Sequence, residues 1–262
     1  MPKIRVVFDI DNVLAACDSI NDQTNLYFLR KGAIIIASNA SHYVFPGITQ
    51  LIRKLYSDEN VELSFFSSGP KERNIEFVRN LLTHCLGEDK YKQLEPTLII
   101  LSKEDCSVNT KENSINLSRT CGMYHGNNIK DLSKIAPNLQ HTIFIEDDPS
   151  YVKFGQQFNL LRSENVRAKD FEKLPLKYDE EDEFKTCNNA FYLAGRLLTL
   201  IETMTADPSK TVQDLLFPIQ FTPKPRELMK YTMNRLATTL KKGLTPRRSK
   251  WNNGDFIWNN LI

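Results

Sequence analysis

The stretch Lys3-Ile4-Arg5-Val6-Val7-Phe8-Asp9-Ile10-Asp11-Asn12-Val13-Leu14 decides the fold of this chain. Its apolar run is typical of a buried strand in a parallel sheet, and it ends abruptly at two carboxylates. Ligands of such sheets bind just beyond the carboxyl ends of the strands. Because side chains alternate along a strand, Asp9 and Asp11 point to the same side. We therefore expect both acids at the edge of the sheet where a ligand would bind.

The closeness of these two carboxylates suggests a cation. Neighbouring carboxylates repel each other unless a cation or a proton lies between them. Mg²⁺ is the natural cation for a site of hard oxygen ligands. A strand end followed by an ordinary polar turn would also place Asp and Asn here, so the pair alone leaves both interpretations open.

Length and composition narrow the class of protein. At 262 residues the chain forms one large domain, or one domain and an extension. Its net charge of +2 gives no reason to expect a nucleic-acid partner. The five cysteines form no CxxC pair, which favours reduced thiols in a cytoplasmic protein over a disulfide framework or a zinc site. We find no run long enough to span a membrane, and Met1-Pro2-Lys3 leaves no room for a signal peptide.

Strand and helix patterns alternate through residues 1–165. Further strands are predicted at 61–66, 97–101, 141–145 and 159–162, with amphipathic helices following residues 47 and 70. One helix is expected to bury Ile75 together with Val78. This alternation predicts an α/β fold built on a doubly wound parallel sheet.

A small flap is predicted over the Asp9 and Asp11 edge. Two β-like runs, residues 26–29 and 33–37, flank Arg30-Lys31-Gly32, a connection that is typical of a β-hairpin. The sequence between Leu14 and Val61 is too short for a large cap domain. We therefore expect an open site covered by a hairpin alone.

Residues 166–262 are predicted to form a helical C-terminal extension. An apolar stretch at 191–201 indicates a helix. The stretch 224–250, which begins with Lys224 and ends with Lys250, is basic and carries an apolar stripe at helical spacing. Such a helix can lie on an anionic membrane or bind an acidic partner, or its stripe can pack on the core.

Polar groups at the predicted strand ends form an ordered set: Asp9 and Asp11, Ser67, Lys130, then Glu146 and Asp147. This order resembles the haloacid dehalogenase (HAD) superfamily of phosphatases. Three segments are similar to the FCP/SCP (NLI-interacting-factor-like) protein phosphatases within that superfamily. They are residues 42–47, residues 121–134 and residues 142–149, and the resemblance covers about residues 3–165.

The resemblance implies a role for each residue. Asp9 would attack the phosphorus and form an aspartyl-phosphate, and Asp11 would act as general acid and base. Ser67 and Ser68 would bind the phosphate, and Lys130 would neutralise its charge. Mg²⁺ would bind the Asp9 carboxylate, the Asp11 main-chain carbonyl and Asp147. The HAD-like core implied here is an uncapped Rossmann-like domain.

The chain also departs from the family pattern. Val13 stands where the family has threonine, and Phe45 stands where it has arginine. Glu146 replaces the first acid of the closing pair, so we expect Asp147 to be the better metal ligand. The added basic stretch and the Asn-, Lys- and Ile-rich composition would suit a bacterial effector that acts inside a host cell. Such a protein would work in the host cytosol or at a membrane.

An open site can admit a phosphorylated side chain of a protein, whereas capped relatives enclose metabolites. We therefore expect a protein phosphatase. Phosphotyrosine is favoured over phosphoserine and phosphothreonine, because the segments that diverge from the family are those around its phosphoserine-binding wall.

One alternative is a small-molecule phosphatase of the nucleotidase type. Another is an inactive membrane- or partner-binding module, against which the intact Asp9 and Asp11 pair argues. A receiver domain shares the aspartyl-phosphate chemistry but places its acids in a different order.

Overall fold

The computed structural model describes residues 3–108, 128–163, 166–168 and 181–220, and the centre of this part is a five-stranded parallel sheet. Its strands are β1 (Ile4–Phe8), β5 (Val61–Phe66), β6 (Ile99–Leu101), β9 (Thr142–Glu146) and β10 (Leu160–Arg162). Their order is β10-β9-β1-β5-β6, and every neighbouring pair is parallel. This confirms the predicted α/β fold.

Strand β1 lies in the middle of the sheet, with β9 on one side and β5 on the other. Its side chains alternate between two apolar clusters: Val6 and Phe8 join the larger cluster, and Val7 joins the smaller one on the opposite face. After Asp11 the chain turns at Asn12, whose φ of 61° lies in the left-handed region that Asn tolerates. The acids that follow β1 therefore stand at the sheet's carboxyl edge.

A β-hairpin flap is present, but its first strand was predicted in the wrong place. Residues 26–29 belong to a helix, α1 (Asp22–Lys31), which is capped by the Asn21 side chain. The hairpin pairs β3 (Ala33–Ala37) with β4 (Ala40–Val44), and β2 (Ala15–Ala16) joins β4. Its turn, Ser38-Asn39, has positive φ at both residues, as tight hairpin turns require.

Gly32 explains the error. It lies at the end of α1, where the chain passes close to the flap rather than turning as a hairpin. A Cβ atom at this position would stand 2.3 Å from the carbonyl oxygen of Val44. The glycine is therefore required by close backbone approach, a contact between distant residues that the local pattern does not reveal.

The helices after the flap are α2 (Ile48–Tyr56), α3 (Lys71–Leu86), α4 (Glu88–Leu94), α5 (Glu181–Ala206) and α6 (Val212–Gln220). Short 3₁₀ helices form at Glu95–Thr97, Lys103–Asp105, Leu132–Lys134, Leu139–His141, Pro149–Tyr151 and Gln157–Asn159. A two-stranded ribbon pairs β7 (Ser107–Val108) with β8 (Asn128–Ile129). In α3, Val78 is buried as predicted, but the prediction for Ile75 is wrong: it is 40% exposed, and Phe77 is buried in the core.

Within the C-terminal extension, residues 181–206 and 212–220 are helical, and α5 contains the predicted apolar helix. The buried side chains Leu193, Leu197 and Leu200 belong to the same apolar cluster as the sheet. The stretch 224–250 lies outside the described residues, and the division into 1–165 and 166–262 stays a prediction. Within the described ranges, no helix combines the length and the apolar character needed to cross a membrane.

Candidate active site

Three buried carboxylates meet at the carboxyl edge of the sheet. Asp9 follows β1, Glu146 ends β9, and Asp147 comes next in the chain. One oxygen from each lies within 4.8 Å of the others. Asp9 is 5% exposed, Glu146 is 0% exposed and Asp147 is 7% exposed. Adjacent parallel strands thus bring together acids that are far apart in sequence.

Lys130 lies against this cluster and is itself buried. Its Nζ is 2.8 Å from Oδ1 of Asp9 and 2.5 Å from Oε2 of Glu146. Its backbone N–H donates to the Tyr151 carbonyl, which ties the segment after β8 to the segment after β9. The ammonium group also lies over the Phe144 and Tyr151 rings, 5.7 and 5.2 Å from their centroids.

Glu146 uses both of its carboxylate oxygens inside the protein. Oε2 accepts from Lys130, and Oε1 accepts from the backbone N–H groups of Asp147 and Asp148. Glu146 therefore holds Lys130 and the loop after β9 in place. This supports the sequence-based choice of Asp147 over Glu146 as the metal ligand, although that role stays a prediction.

The electrostatics of the cluster show that its negative charge is costly. Burial, reinforced by the charge of Glu146, raises the pKa of Asp9 to about 8. Burial likewise raises the pKa of Glu146 to about 8 against the opposing effect of Lys130, and it raises the pKa of Asp147. The pKa of Lys130 is raised because the charges of Asp9 and Glu146 outweigh its own burial.

These residues fit a divalent cation. Oxygen-only ligands suit Mg²⁺, and a cation would offset both the cost of burying these charges and the repulsion between them, which together raise the acid pKa values. Asp9 and Asp147 offer carboxylates within the cluster. The main-chain carbonyl of Asp11, also predicted as a ligand, belongs to the turn directly after Asp9.

The Asp11 side chain stands apart from this cluster, where Arg73 binds it. Arg73 Nη1 donates to Oδ1 of Asp11 at 2.7 Å, and Nη2 donates to Oδ2 at 2.6 Å. Ser67 Oγ also donates to Oδ2, at 3.0 Å. Burial disfavours the charged form of Asp11, but the hydrogen bonds and charge of Arg73 outweigh it and hold the pKa of Asp11 below its usual value.

The loop that carries Ser67 and Ser68 is tightly held. Ser67 is fully buried, and its Oγ accepts from the Gly69 N–H while donating to Asp11. The amide of Asn74, also fully buried, donates to the carbonyls of Ser67 and Gly69 and to Ser102 Oγ. Ser68 is half-buried. Phosphate binding by Ser67 and Ser68 stays a prediction.

The flap is fastened to α3, the helix that carries Arg73. The Ser38 N–H at the hairpin turn donates to Glu76 Oε2 at 2.7 Å, and Asn80 Nδ2 donates to the Ile36 carbonyl at 2.8 Å. Phe45, which stands where the resembled family has arginine, is buried in the larger apolar cluster. That position therefore supplies no charge to the site.

The structure thus brings Asp9, Lys130 and Asp147 into one cluster, with Asp11 and Ser67 joined beside it by a hydrogen bond. Sequence reasoning missed Arg73, Asn74 and Tyr151. All three lie shortly after predicted strand ends, which is the one signal that could have suggested them. The predicted family-like segment around Cys121, Gly126 and Asn127 lies outside the described residues.

Comparisons with known proteins identify a family. A family model described as NLI interacting factor-like phosphatase matches residues 4–173. No curated protein matches the chain significantly. The similar solved structures include the following two. One is the fission yeast RNA polymerase II CTD phosphatase Fcp1 bound to beryllium fluoride, with 12% identity and a TM-score of 0.40 over 92% of this chain and 64% of that chain. The other is described as Fcp1, an essential RNA polymerase II CTD phosphatase, with 14% identity and a TM-score of 0.40 over 92% of this chain and 63% of that chain. The chain spans less than two thirds of both.

Proposed function

Because the chain belongs to the NLI interacting factor-like phosphatases, we propose that it is a Mg²⁺-dependent protein phosphatase that forms an aspartyl-phosphate on Asp9. The observation that carries this proposal is the buried contact of Lys130 with Asp9 and Glu146, next to Asp147. Strand ends from three separate parts of the chain meet there.

Asp9 is the nucleophile in this proposal. It must be ionised to attack phosphorus, and burial opposes ionisation. Lys130 at 2.8 Å favours the charged form and fixes the direction of the carboxylate. Attack splits a single difficult hydrolysis into formation and breakdown of a covalent intermediate. A bound Mg²⁺ would supply further positive charge for the phosphate.

Asp11 is the proposed general acid and base. Its side chain is 41% exposed, so it lies nearer to the solvent edge than Asp9 does. In this role it protonates the leaving oxygen and afterwards takes a proton from the water that attacks the aspartyl-phosphate. The low pKa that Arg73 gives Asp11 means that Asp11 must first bind a proton before it can act as the acid. Lys130 balances the charge on the transferring group, and Ser67 and Ser68 hold its oxygens.

A phosphorylated protein is the proposed substrate, with phosphotyrosine preferred. The site carries a hairpin flap and no large cap within the described residues, so a side chain on a protein surface can enter. The nucleophile is 5% exposed, whereas the acid is partly exposed. Phosphotyrosine carries its phosphate farther from the backbone than phosphoserine does, which suits a recessed nucleophile, and its phenolate is the better leaving group.

Two experiments test the proposed function. The purified full chain should hydrolyse an aryl phosphate when Mg²⁺ is present, and Asp9→Asn should remove this activity while the protein stays folded. Phosphotyrosine, phosphoserine and phosphothreonine peptides should then be compared with a panel of nucleotides and sugar phosphates. Preference for the metabolites would replace the protein substrate with a small-molecule one, and preference for phosphoserine would refute the tyrosine assignment.

We further propose that the protein works in the cytoplasm, as a bacterial effector inside a host cell, and that the stretch 224–250 binds an anionic membrane. The support is the charge pattern of this stretch alone. Full-length protein should sediment with vesicles that contain anionic lipid, and removal of residues 224–262 should abolish this. Equal sedimentation of both forms would refute the membrane proposal.

A further inference from the structure

Arg73 has no part in the mechanism above, yet it contacts the proposed general acid. It lies in the first turn of α3, and its side chain is 12% exposed. Both terminal nitrogens of its guanidinium group bind Asp11, at 2.7 and 2.6 Å. Arginine presents this same planar pair of donors to carboxylates and to phosphates.

The guanidinium group lies against the loop proposed to bind phosphate. A Cβ atom on Gly69 would stand 1.6 Å from Arg73 Nη2, so the side chain rests directly on this glycine. Ser67 and Ser68 precede Gly69 in the same loop. Arg73 therefore stands beside the place where phosphate oxygens would be held.

A substrate phosphate would need a basic side chain of the site as its direct partner. Four carboxylates (Asp9, Asp11, Glu146 and Asp147) face two basic side chains, Lys130 and Arg73. When all four carboxylates are ionised, one divalent metal ion would balance the excess of two negative charges. A phosphate dianion would add two negative charges, and within the described residues of the site it gains a direct basic partner only if Lys130 or Arg73 turns to it from a carboxylate.

Exposure decides which basic side chain can do this. If Lys130 left Asp9 and Glu146, it would leave two acids whose side chains are 7% and 0% exposed without a counter-charge. Burial also opposes the charge of Asp11, but its side chain is 41% exposed, so water could reach the carboxylate if Arg73 left it. Unpaired buried charges are far more costly than hydrated ones.

We propose that Arg73 is a phosphate-binding residue, which exchanges the two oxygens of Asp11 for two oxygens of the substrate phosphate. The inference rests on the phosphatase function proposed above and adds a residue to its substrate site. In the alternative, Arg73 only orients Asp11 and keeps this contact when substrate binds. The two cases differ in what the removal of Asp11 does to phosphate affinity.

The test measures the affinity of the full chain for inorganic phosphate by titration calorimetry in the presence of Mg²⁺. Arg73→Met should weaken binding by ~10- to 100-fold, the value of a charge-assisted hydrogen-bonding pair. Asp11→Asn should tighten binding, because Arg73 no longer has a competing anion. This gain should be largely lost in the double variant that also carries Arg73→Met.

Three further variants or measurements complete the test. Arg79→Met, on the same helix but 55% exposed and 3.9 Å from Glu88, should leave the affinity unchanged. Arg73→Lys keeps the charge without the two-nitrogen contact and should bind phosphate more weakly than the wild type. Thermal unfolding of each variant shows whether it is folded, and if Arg73→Met is not, Arg73→Lys takes its place in the double variant.

The inference is overturned if the Arg73 variants bind phosphate as tightly as the wild type, or if Asp11→Asn has the same effect with and without Arg73. Hydrolysis of an aryl phosphate by the same preparations separates the two proposals. Activity with unchanged phosphate affinity in the Arg73 variants refutes this inference alone. A wild-type protein that neither binds phosphate nor hydrolyses the ester refutes the proposed function as well.

Discussion

Replacing Lys130 by methionine should destabilise the protein strongly when metal is removed. Lys130 is 1% exposed and contacts Asp9 and Glu146, which are themselves buried. Methionine keeps much of the side-chain volume beside Phe144 and Tyr151 but removes the charge. Breaking a buried ion pair by removing one partner costs about 3–5 kcal/mol, because the remaining charge has no counter-charge.

The loss should depend on pH in a defined direction. Burial raises the pKa of Asp9 and of Glu146 to about 8 although Lys130 lowers both, so near pH 8 both acids carry substantial charge in the wild type. Without Lys130 the two acids must stay protonated, which costs more free energy as the pH rises. At lower pH the two acids bind protons and need no counter-charge. The variant should therefore lose most stability near pH 8 and less near pH 5.5, and Mg²⁺ should restore part of the loss.

The assay is urea unfolding followed by circular dichroism in the presence of EDTA, then repeated with Mg²⁺. Lys92→Met is the matched control, since Lys92 forms an exposed pair with Glu88 at 3.7 Å and should cost less than about 1 kcal/mol. If Lys130→Met is as stable as the wild type near pH 8 without metal, Lys130 does not balance the acid cluster.

Three further predictions concern the acid cluster, the Ser67 loop and the flap. Without metal, the free energy of unfolding of the wild type should fall as pH rises from about 4 to 8. The reason is that Asp9 and Glu146, whose pKa values are 3.8 and 4.5 in the unfolded chain, bind more protons when the protein is folded. Mg²⁺ should flatten this dependence. A flat urea-unfolding profile in EDTA would contradict the raised pKa values. Asn74→Ala should cost about 1–3 kcal/mol in urea unfolding, because buried carbonyls of the Ser67 loop lose their donor; an unchanged midpoint would show that other contacts hold the loop. Gly32→Ala should cost about 1–3 kcal/mol, since its Cβ would meet the Val44 carbonyl at 2.3 Å, while activity per folded molecule stays unchanged. A fully stable Gly32→Ala variant would contradict that close approach.

Local patterns were enough to predict the sheet and the acids at its edge. A buried parallel strand is a short apolar run, and the residue where it ends lies at the carboxyl edge whatever the rest of the chain does. Asp9, Glu146 and Asp147 could be placed in this way. The small shifts of strand bounds, such as Ile99–Leu101 instead of 97–101, do not move these residues.

Contacts between distant residues could not be predicted in the same way. Arg73 and Asp11 are separated by 62 positions, and an arginine in the first turn of a helix is ordinarily a surface residue. From the sequence, Gly32 is interpreted as a turn residue. The close approach of the Val44 carbonyl, which is the actual reason for the glycine, arises only when the flap has folded. The buried face of α3 also differs from the predicted face. In the folded protein Phe77 packs in the core and Ile75 stays partly exposed.

The most direct test of the central claim is to trap the covalent intermediate. Full-length protein is mixed with an aryl phosphate and Mg²⁺, quenched in acid during turnover and digested, and its peptides are analysed by mass spectrometry with and without hydroxylamine. The account predicts a hydroxylamine-labile phosphate on Asp9 that is absent from Asp9→Asn. Turnover with no phosphate on the protein, or with phosphate on another residue, would contradict it.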